Sequence, residues 1–133
     1  MKLDAIRVSA VIPAEPKKVY AAWMSSKGHS DMTGSPAKVG ARVGSSFTAW
    51  EGYISGKTLA LDPPKRVLQS WRTSDFAKGD ADSSLEVLFE TARGGTKVTL
   101  VHTKIPAGQG AGYRKGWIDF YFKPMKDYFR AKV

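Results

Sequence analysis

The sequence predicts an α+β fold in which a curved antiparallel β-sheet wraps around one long C-terminal helix, with two short helices after the first strand. Three observations predict this fold. An N-terminal strand is followed by helical segments, and a run of short alternating segments then continues to the last third of the chain. The C-terminal stretch is amphipathic and can bury its apolar side only by lying across the sheet.

The N-terminal part of the chain predicts one strand and two helices. Apolar residues alternate over residues 6–12, which indicates a half-buried strand, and a proline ends it. Pro16 suits the first turn of a helix, which we expect to run to about Met24. The segment 26–34 predicts a short second helix.

From residue 44 the pattern changes to short alternating runs joined by turn residues. The turns leave too little chain for parallel crossovers, so neighbouring strands are expected to be antiparallel. The longer loop 74–83 is polar, and we expect it to be mobile. The expected strands are 46–50, 53–61, 66–73, 84–91 and 96–104.

The stretch that follows the glycine-rich segment 107–112 predicts one long helix to about Lys132. Pro124 lies inside that pattern, where a proline removes one backbone hydrogen bond and presses on the preceding turn. We therefore expect a kink at Pro124 and not an end of the helix. The expected apolar stripe consists of Trp117, Tyr121, Pro124 or Met125, and Tyr128.

Length and composition limit the classes of protein to which this chain can belong. The 133 residues are near the commonest size of a single domain, so we expect residues 1–133 to form one domain. The sequence contains no cysteine, which excludes disulfides, thiolate nucleophiles and cysteine-ligated zinc. No apolar run approaches the roughly 20 residues of a membrane span, and the N-terminus lacks the apolar core of a secretory signal. We therefore expect a cytoplasmic protein.

The net charge of +9 favours acidic partners. The basic residues are scattered without a polybasic block, so we expect a solvated basic surface and no nucleic-acid site. Basic residues outnumber acidic ones on the last helix. The exposed face of this helix is therefore the best candidate for binding an acidic protein surface. The basic residues are Arg114, Lys115, Lys123, Lys126 and Arg130, against Asp119 and Asp127.

Several segments, in their order and spacing, resemble a known family. They are 13–23, 42–47, 56–67, 70–72, 95–102, and Gly116-Trp117 followed by Tyr121, 124–126 and 128–129. The resemblance is to the family named for activators of the 90-kDa heat-shock-protein ATPase, in the START-like or SRPBCC superfamily, and spans nearly the whole chain. It implies a helix-grip fold. One departure is that 27–34 lacks the tryptophan that relatives commonly carry in the second helix, where Met32 takes its place.

A helix-grip fold can leave an apolar pocket between sheet and helix, a setting in which small ligands are commonly held. Strand alternation then predicts which side chains line it, because residues two apart share a face. The alternative is that these side chains pack against one another and leave no cavity. The candidate ligand-binding residues are Phe47, Trp71, Leu85, Val87, Phe89, Leu100, His102, Trp117 and Tyr121.

His102 is the one titratable side chain on an otherwise apolar strand face, so it is a candidate acid/base, ligand-orienting or purely structural residue. We expect burial to lower its pKa and keep it neutral near pH 7. The other histidine, His29, lies in a polar segment beside Asp31. Two histidines without a defined carboxylate spacing do not predict a metal site, and no phosphate-binding or dinucleotide motif predicts a cofactor.

Three functions remain open from the sequence. The preferred one is a non-catalytic domain that holds a small apolar molecule between the sheet and the C-terminal helix. The second, implied by the family resemblance, is a module that binds and stimulates a chaperone ATPase. The third is a cyclase- or hydrolase-like enzyme that uses His102, since fold alone does not settle function. The oligomeric state is left open.

Overall fold

The computed structural model describes residues 3–132. The strands are β1 (Asp4–Ile12), β2 (Lys38–Val39), β3 (Ser46–Ala49), β4 (Ile54–Asp62), β5 (Arg66–Thr73), β6 (Ser83–Ala92) and β7 (Gly95–Ile105). The helices are α1 (Pro16–Trp23), α2 (Ser26–Thr33), α3 (Gly110–Gly116), a π-helical segment (Trp117–Phe122) and α4 (Lys123–Arg130). All seven strands form one antiparallel sheet in the order β1-β7-β6-β5-β4-β3-β2. The predicted α+β fold is confirmed.

The five strands expected after residue 44 are confirmed to within one residue at each end. Their antiparallel pairing follows from the short turns that join them. Several residues in these turns have a left-handed backbone conformation, with positive φ. In the β3–β4 hairpin Trp50, Glu51 and Gly52 have φ values of 54°, 57° and 86°. Strand β2 was not predicted, because two residues are too few to show an alternation.

The two helices after β1 pack closely against each other, and both ends of α2 are capped. The Ser25 hydroxyl accepts a hydrogen bond from the Gly28 backbone N–H at 3.0 Å, and Gly34 ends α2 with φ 79°. A Cβ at Gly28 would lie 2.6 Å from the Cα of Ala22, so only glycine permits this approach. Both helices are confirmed.

The segments α3, π and α4 follow one another without a break and are called the C-terminal helix here. The helix continues across Pro124, as expected, with the proline in the first turn of α4. The expected burial of Tyr128 is wrong, because Phe129 is buried and Tyr128 only partly so. The reason is the π-helical segment, whose wider i→i+5 hydrogen-bonded turns change the phase of the residues that follow. The buried stripe is Trp117, Tyr121, Phe122, Met125 and Phe129.

The loop between β5 and β6 is not purely polar, contrary to expectation. Phe76 is buried and packs its ring on Trp71 and Tyr113, with ring centroids 6.2 and 6.1 Å away. The guanidinium of Arg72 donates to the carbonyls of Ala77 and Asp80. These contacts fasten the loop to the sheet next to the C-terminal helix.

Candidate functional site

A cavity of about 320 Å³ lies between the β3–β4 hairpin, strand β5 and the C-terminal helix. Its walls are almost wholly aromatic, and its volume lies at the lower end of the range of small-molecule sites, about 300 to 1,000 Å³. The lining residues are Trp50, Tyr53, Ile54, Trp71, Tyr113, Gly116, Trp117, Phe120 and Tyr121.

The C-terminal helix shapes both the depth and the mouth of this cavity. Gly116 leaves space, because a Cβ there would meet only the Cδ2 atom of Phe120, at 4.0 Å. Phe120 is 57% exposed and contacts Trp50 edge to face, with ring centroids 5.5 Å apart. Phe120 and the exposed Tyr53 therefore form the rim through which the cavity meets solvent.

Two tyrosines at one side of the cavity are fixed by hydrogen bonds to the neighbouring loops. The Tyr53 hydroxyl donates to Asp75, and burial together with that bond raises the pKa of Tyr53 to about 12. The Tyr113 hydroxyl donates to Gln109 Oε1 at 2.8 Å and lies 2.6 Å from the Thr73 hydroxyl. Both rings are therefore held in place as neutral, apolar walls.

At the inner end of the cavity, Tyr121 is hydrogen-bonded to a buried histidine that sequence reasoning placed in a polar segment. His29 Nδ1 lies 2.9 Å from the backbone carbonyl of Trp23, and His29 Nε2 lies 2.8 Å from the Tyr121 hydroxyl. A carbonyl can only accept, so Nδ1 carries the proton and Nε2 accepts from Tyr121. Burial lowers the pKa of His29 and raises the pKa of Tyr121. Both groups are therefore neutral.

Trp50 brings an unpaired donor to the same end of the cavity. Its Nε1 atom is buried and has no hydrogen-bond acceptor among residues 3–132. The Tyr121 hydroxyl is near enough for the indole N–H to oppose the burial-driven rise of its pKa, yet it lies outside hydrogen-bonding geometry. A buried donor without a partner is rare in native proteins.

His102 lies on β7 and is not part of the cavity lining. Both of its ring nitrogens take part in a line of buried hydrogen bonds. Trp117 Nε1 donates to His102 Nδ1 at 3.1 Å, so the proton of the imidazole is on Nε2, which donates to the Ser83 hydroxyl at 2.8 Å. Ser83 in turn donates to the carbonyl of Trp71. Burial lowers the pKa of His102 to about 3, which confirms the expected neutral imidazole.

Of the nine candidate ligand-binding residues, Trp71, Trp117 and Tyr121 line the cavity. Alternation identified the face that meets the helix, but not the position along that face where packing leaves a space. The six candidates that are buried outside the cavity lining are Phe47, Leu85, Val87, Phe89, Leu100 and His102.

Sequence reasoning missed six lining residues, which are Trp50, Tyr53 and Ile54 at the β3–β4 hairpin and Tyr113, Gly116 and Phe120 on the C-terminal helix. The sequence held a signal for His29, because its spacing of three from the apolar Met32 puts both on one face of the predicted helix. Both are buried in the structure.

Two further kinds of site, a membrane-spanning helix and a metal centre, are absent from residues 3–132. No helix in that range is both long and apolar enough to cross a membrane. Nor does the same range bring together three or more histidine or carboxylate side chains that could hold a metal ion. A second cavity of about 790 Å³, between the start of α1, the β4–β5 turn and β6, is lined largely by polar and charged residues. The aromatic cavity is therefore the more apolar of the two.

Known proteins resemble this chain in sequence and in structure. An uncharacterized protein of Schizosaccharomyces pombe is 24% identical over 137 residues, covering 95% of this chain and 40% of that protein. The activator of 90 kDa heat shock protein ATPase homolog of Dictyostelium discoideum is 29% identical over 75 residues, or 56% of this chain and 19% of that protein. The chain therefore spans well under half the length of these two curated relatives.

A crystal structure of a Plasmodium falciparum protein, described as an HSP90 activator, has the same fold. It superposes with a TM-score of 0.84 at 22% identity, covering 92% of this chain and 94% of that one. The sequence pattern of one family matches residues 13–130 of this chain. Because the match covers most of the chain and agrees with the sequence resemblance, the chain belongs to the family described as Activator of Hsp90 ATPase homolog 1-like protein, with its SRPBCC-type fold.

Proposed function

We propose that this chain is a non-catalytic domain that binds a small apolar molecule in the aromatic cavity. The observation that carries the proposal is the cavity itself, about 320 Å³ in volume and bounded by seven aromatic side chains and Ile54 and Gly116. Aromatic walls offer a large apolar contact area, and they prefer offset-stacked or edge-to-face contacts with flat molecules. An apolar ligand of that shape matches the walls in both respects.

The buried polar groups near the cavity support binding over acid/base catalysis. A general base must reach the substrate with an accepting atom, whereas both ring nitrogens of His102 are already hydrogen-bonded within the core. Burial raises the pKa of Tyr121, so its phenol keeps its proton, and that proton is directed to His29. Neither residue is arranged to move a proton to or from a molecule in the cavity.

The proposal is tested by titrating 2-methoxynaphthalene, a small flat apolar probe, into the protein while following the four tryptophan indole N–H resonances by NMR. We expect saturable shifts of Trp50, Trp71 and Trp117, since all three indoles line the cavity. No saturable shift, or shifts confined to residues outside the lining, would contradict the proposal.

Two matched glycine variants locate the binding. Gly116→Leu places a side chain in the cavity, whereas Gly112→Leu places the same side chain on the exposed face of α3, where a Cβ meets nothing within 4 Å. We expect Gly116→Leu to weaken binding at least about tenfold and Gly112→Leu to leave it unchanged. Equal effects of the two variants would show that the probe binds elsewhere.

A second candidate function is binding to an acidic protein surface such as that of a chaperone ATPase. The observation that favours it is the net charge of +9 together with exposed basic residues on the C-terminal helix. Asp119 pairs with Lys115 and Lys123, and Asp127 pairs with Arg130, which leaves Arg114 and Lys126 as the cations of this helix without an ion pair among residues 3–132. The Plasmodium falciparum protein of the same fold, which is described as an HSP90 activator, points the same way.

This candidate is tested with the host's own 90-kDa chaperone in an ATPase assay. We expect Arg114→Glu to abolish any stimulation and Arg93→Glu, in the β6–β7 turn, to leave it intact. Gly116→Leu separates the two functions, because it fills the cavity without changing the charged surface. Stimulation that survives Arg114→Glu would contradict this docking face.

A further inference from the structure

The carboxylate of Asp75 is held at the rim of the aromatic cavity. Its Oδ2 atom accepts from the hydroxyl of Tyr53, a lining residue. The backbone N–H of Asp75 donates to the Thr73 hydroxyl at 3.1 Å, and its backbone carbonyl accepts from Gln109 Nε2 at 3.2 Å. Thr73 and Gln109 are also the hydrogen-bond partners of Tyr113, a second lining residue. The position of the carboxylate is therefore fixed relative to both tyrosines.

No cation among residues 3–132 pairs with this carboxylate, since none of the ion pairs in that range includes Asp75. Arg72, three residues before it, is bound to Asp82 and to two backbone carbonyls of the loop. Lys78, three residues after it, is exposed and forms no ion pair in the same range. The cavity lining contains no basic side chain. The rim therefore carries a local negative charge on a chain with a net charge of +9.

The aromatic rings at the rim also favour a cation over an anion. An ammonium within about 6 Å of an aromatic ring centre is attracted to the face of the ring. The rings of Trp50 and Phe120 stand at 67° to each other, so their faces point in different directions. Burial and the bond to Asp75 raise the pKa of Tyr53 to about 12, so that its ring stays neutral and its hydroxyl keeps its proton. An anion at the rim would instead meet a like charge.

We propose that the molecule bound in the cavity carries an ammonium group, which pairs with the Asp75 carboxylate at the rim while the apolar part of the molecule contacts the aromatic walls. This inference rests on the proposed function and names the class of its ligand, an apolar amine. The three donors of an ammonium can serve the carboxylate and solvent together. At the rim the charge stays partly hydrated, whereas an unpaired charge inside an apolar cavity is costly.

The test compares three naphthalenes that differ in the charge of one substituent. They are 2-naphthylmethylamine, which is protonated at pH 7, the neutral 2-naphthylmethanol, and the anion 2-naphthoate. Binding is followed by the indole N–H resonances of the tryptophans that line the cavity. We expect the amine to bind about tenfold more tightly than the alcohol, and the naphthoate to bind more weakly than either. The net charge of +9 alone predicts the reverse order.

Two variants that remove the same charge at different places assign the preference to Asp75. Asp75→Asn removes the charge and keeps an oxygen that can accept from Tyr53. Glu90→Gln removes one negative charge at the second cavity, which other residues line. We expect Asp75→Asn to reduce the preference for the amine over the alcohol to less than about threefold, and Glu90→Gln to leave it near tenfold. The wild-type comparison stands independently if either variant fails to fold.

The outcomes separate this inference from the function on which it rests. Saturable binding with no preference for the amine, tightest binding of the naphthoate, or a preference that persists in Asp75→Asn would overturn the ammonium inference alone. Saturable binding of none of the three naphthalenes, nor of 2-methoxynaphthalene, would overturn the proposed function and this inference with it. A tenfold preference that Asp75→Asn removes and Glu90→Gln keeps would establish the ion pair.

Discussion

Around His102 the C-terminal helix and the sheet pack without a gap, whereas around Trp50 the same helix and sheet leave the cavity. In the first region Trp117, His102 and Ser83 form a chain in which each donor has an acceptor. In the second region the Trp50 N–H has no acceptor among residues 3–132. Trp117 belongs to both regions, because its N–H faces His102 while its ring lines the cavity.

The difference between the regions teaches that aromatic content does not decide whether a core is filled. Strands β6 and β7 pair without interruption from Ser84–Thr103 to Ala92–Gly95, which holds their inward side chains at fixed spacing. Strands β3 and β4 pair only from Ser46–Lys57 to Ala49–Ile54 before the hairpin turns over. Beyond this short ladder, rings such as Trp50 and Phe120 contact each other across the cavity without filling it.

Replacing Trp117, the residue that the two regions share, should have the largest effect. Trp117→Ala removes a ring that is 3% exposed and leaves His102 Nδ1 without its donor. We expect the free energy of unfolding to fall by about 3 to 5 kcal/mol in urea melts. Phe120→Ala, at the exposed rim of the cavity, is the control and should cost less than about 1 kcal/mol. A loss below that value for Trp117→Ala would mean that the closed region does not depend on this ring.

Acid should have the next largest effect, through one buried histidine in each of the two regions. Burial lowers the pKa of His102 to about 3, below its ordinary value of 6.5, and also lowers the pKa of His29. The unfolded chain therefore takes up these protons first. The contribution of the two neutral, buried imidazoles to stability is fully present above about pH 6.5. It is lost as the pH falls from 6.5 toward the pKa of each histidine in the folded protein.

For each imidazole that remains neutral in the folded protein, the loss is about 1.4 kcal/mol per pH unit below 6.5. Urea melts between about pH 7.5 and 5 measure it, and His102→Gln should remove the part of the slope that His102 contributes, up to about 1.4 kcal/mol per pH unit. A free energy of unfolding that is flat over this range would contradict neutral, buried histidines.

His102→Leu sharpens the comparison, because His102 lies in the closed region only. The substitution leaves the buried Trp117 N–H without its acceptor and removes the donor to the Ser83 oxygen, so we expect a loss of about 1 to 3 kcal/mol in the free energy of unfolding. Affinity for 2-methoxynaphthalene should stay within about twofold, since His102 does not line the cavity. Loss of binding by a variant that still folds would show that the two regions are coupled.

The smallest expected effect comes from the open region. Gly116→Ala adds a Cβ that meets only Phe120, at 4.0 Å, so we expect a gain of about 0.5 to 1 kcal/mol from the better helix former. Gly56→Ala is the contrast, because its Cβ would lie 1.9 Å from the carbonyl oxygen of Ser70. Destabilisation by Gly116→Ala in urea melts would mean that this part of the helix has no free space.

The sequence predicted the fold well because turns and alternation are local signals. The limits of β5, Arg66–Thr73, follow from its alternation and the prolines before it. The cavity depends instead on distances between elements far apart in the chain. No local pattern reveals that Trp50 and Phe120 meet, and the left-handed turn at Trp50 is unusual for a bulky residue. The buried pair of His29 and Tyr121, 92 residues apart, is likewise a product of tertiary packing.

The π-helical segment Trp117–Phe122 also bears on how relatives of this chain can differ in length. An i→i+5 ring holds one residue more than the i→i+4 ring of an α-helix. A homologue that lacks one residue in this stretch can therefore form an ordinary α-helix with both flanks in their present orientation. Insertions and deletions are usually confined to loops. In this helix, by contrast, the deletion of a single residue can leave the orientation of α4 unchanged. The same deletion changes which side chains form the wall of the cavity.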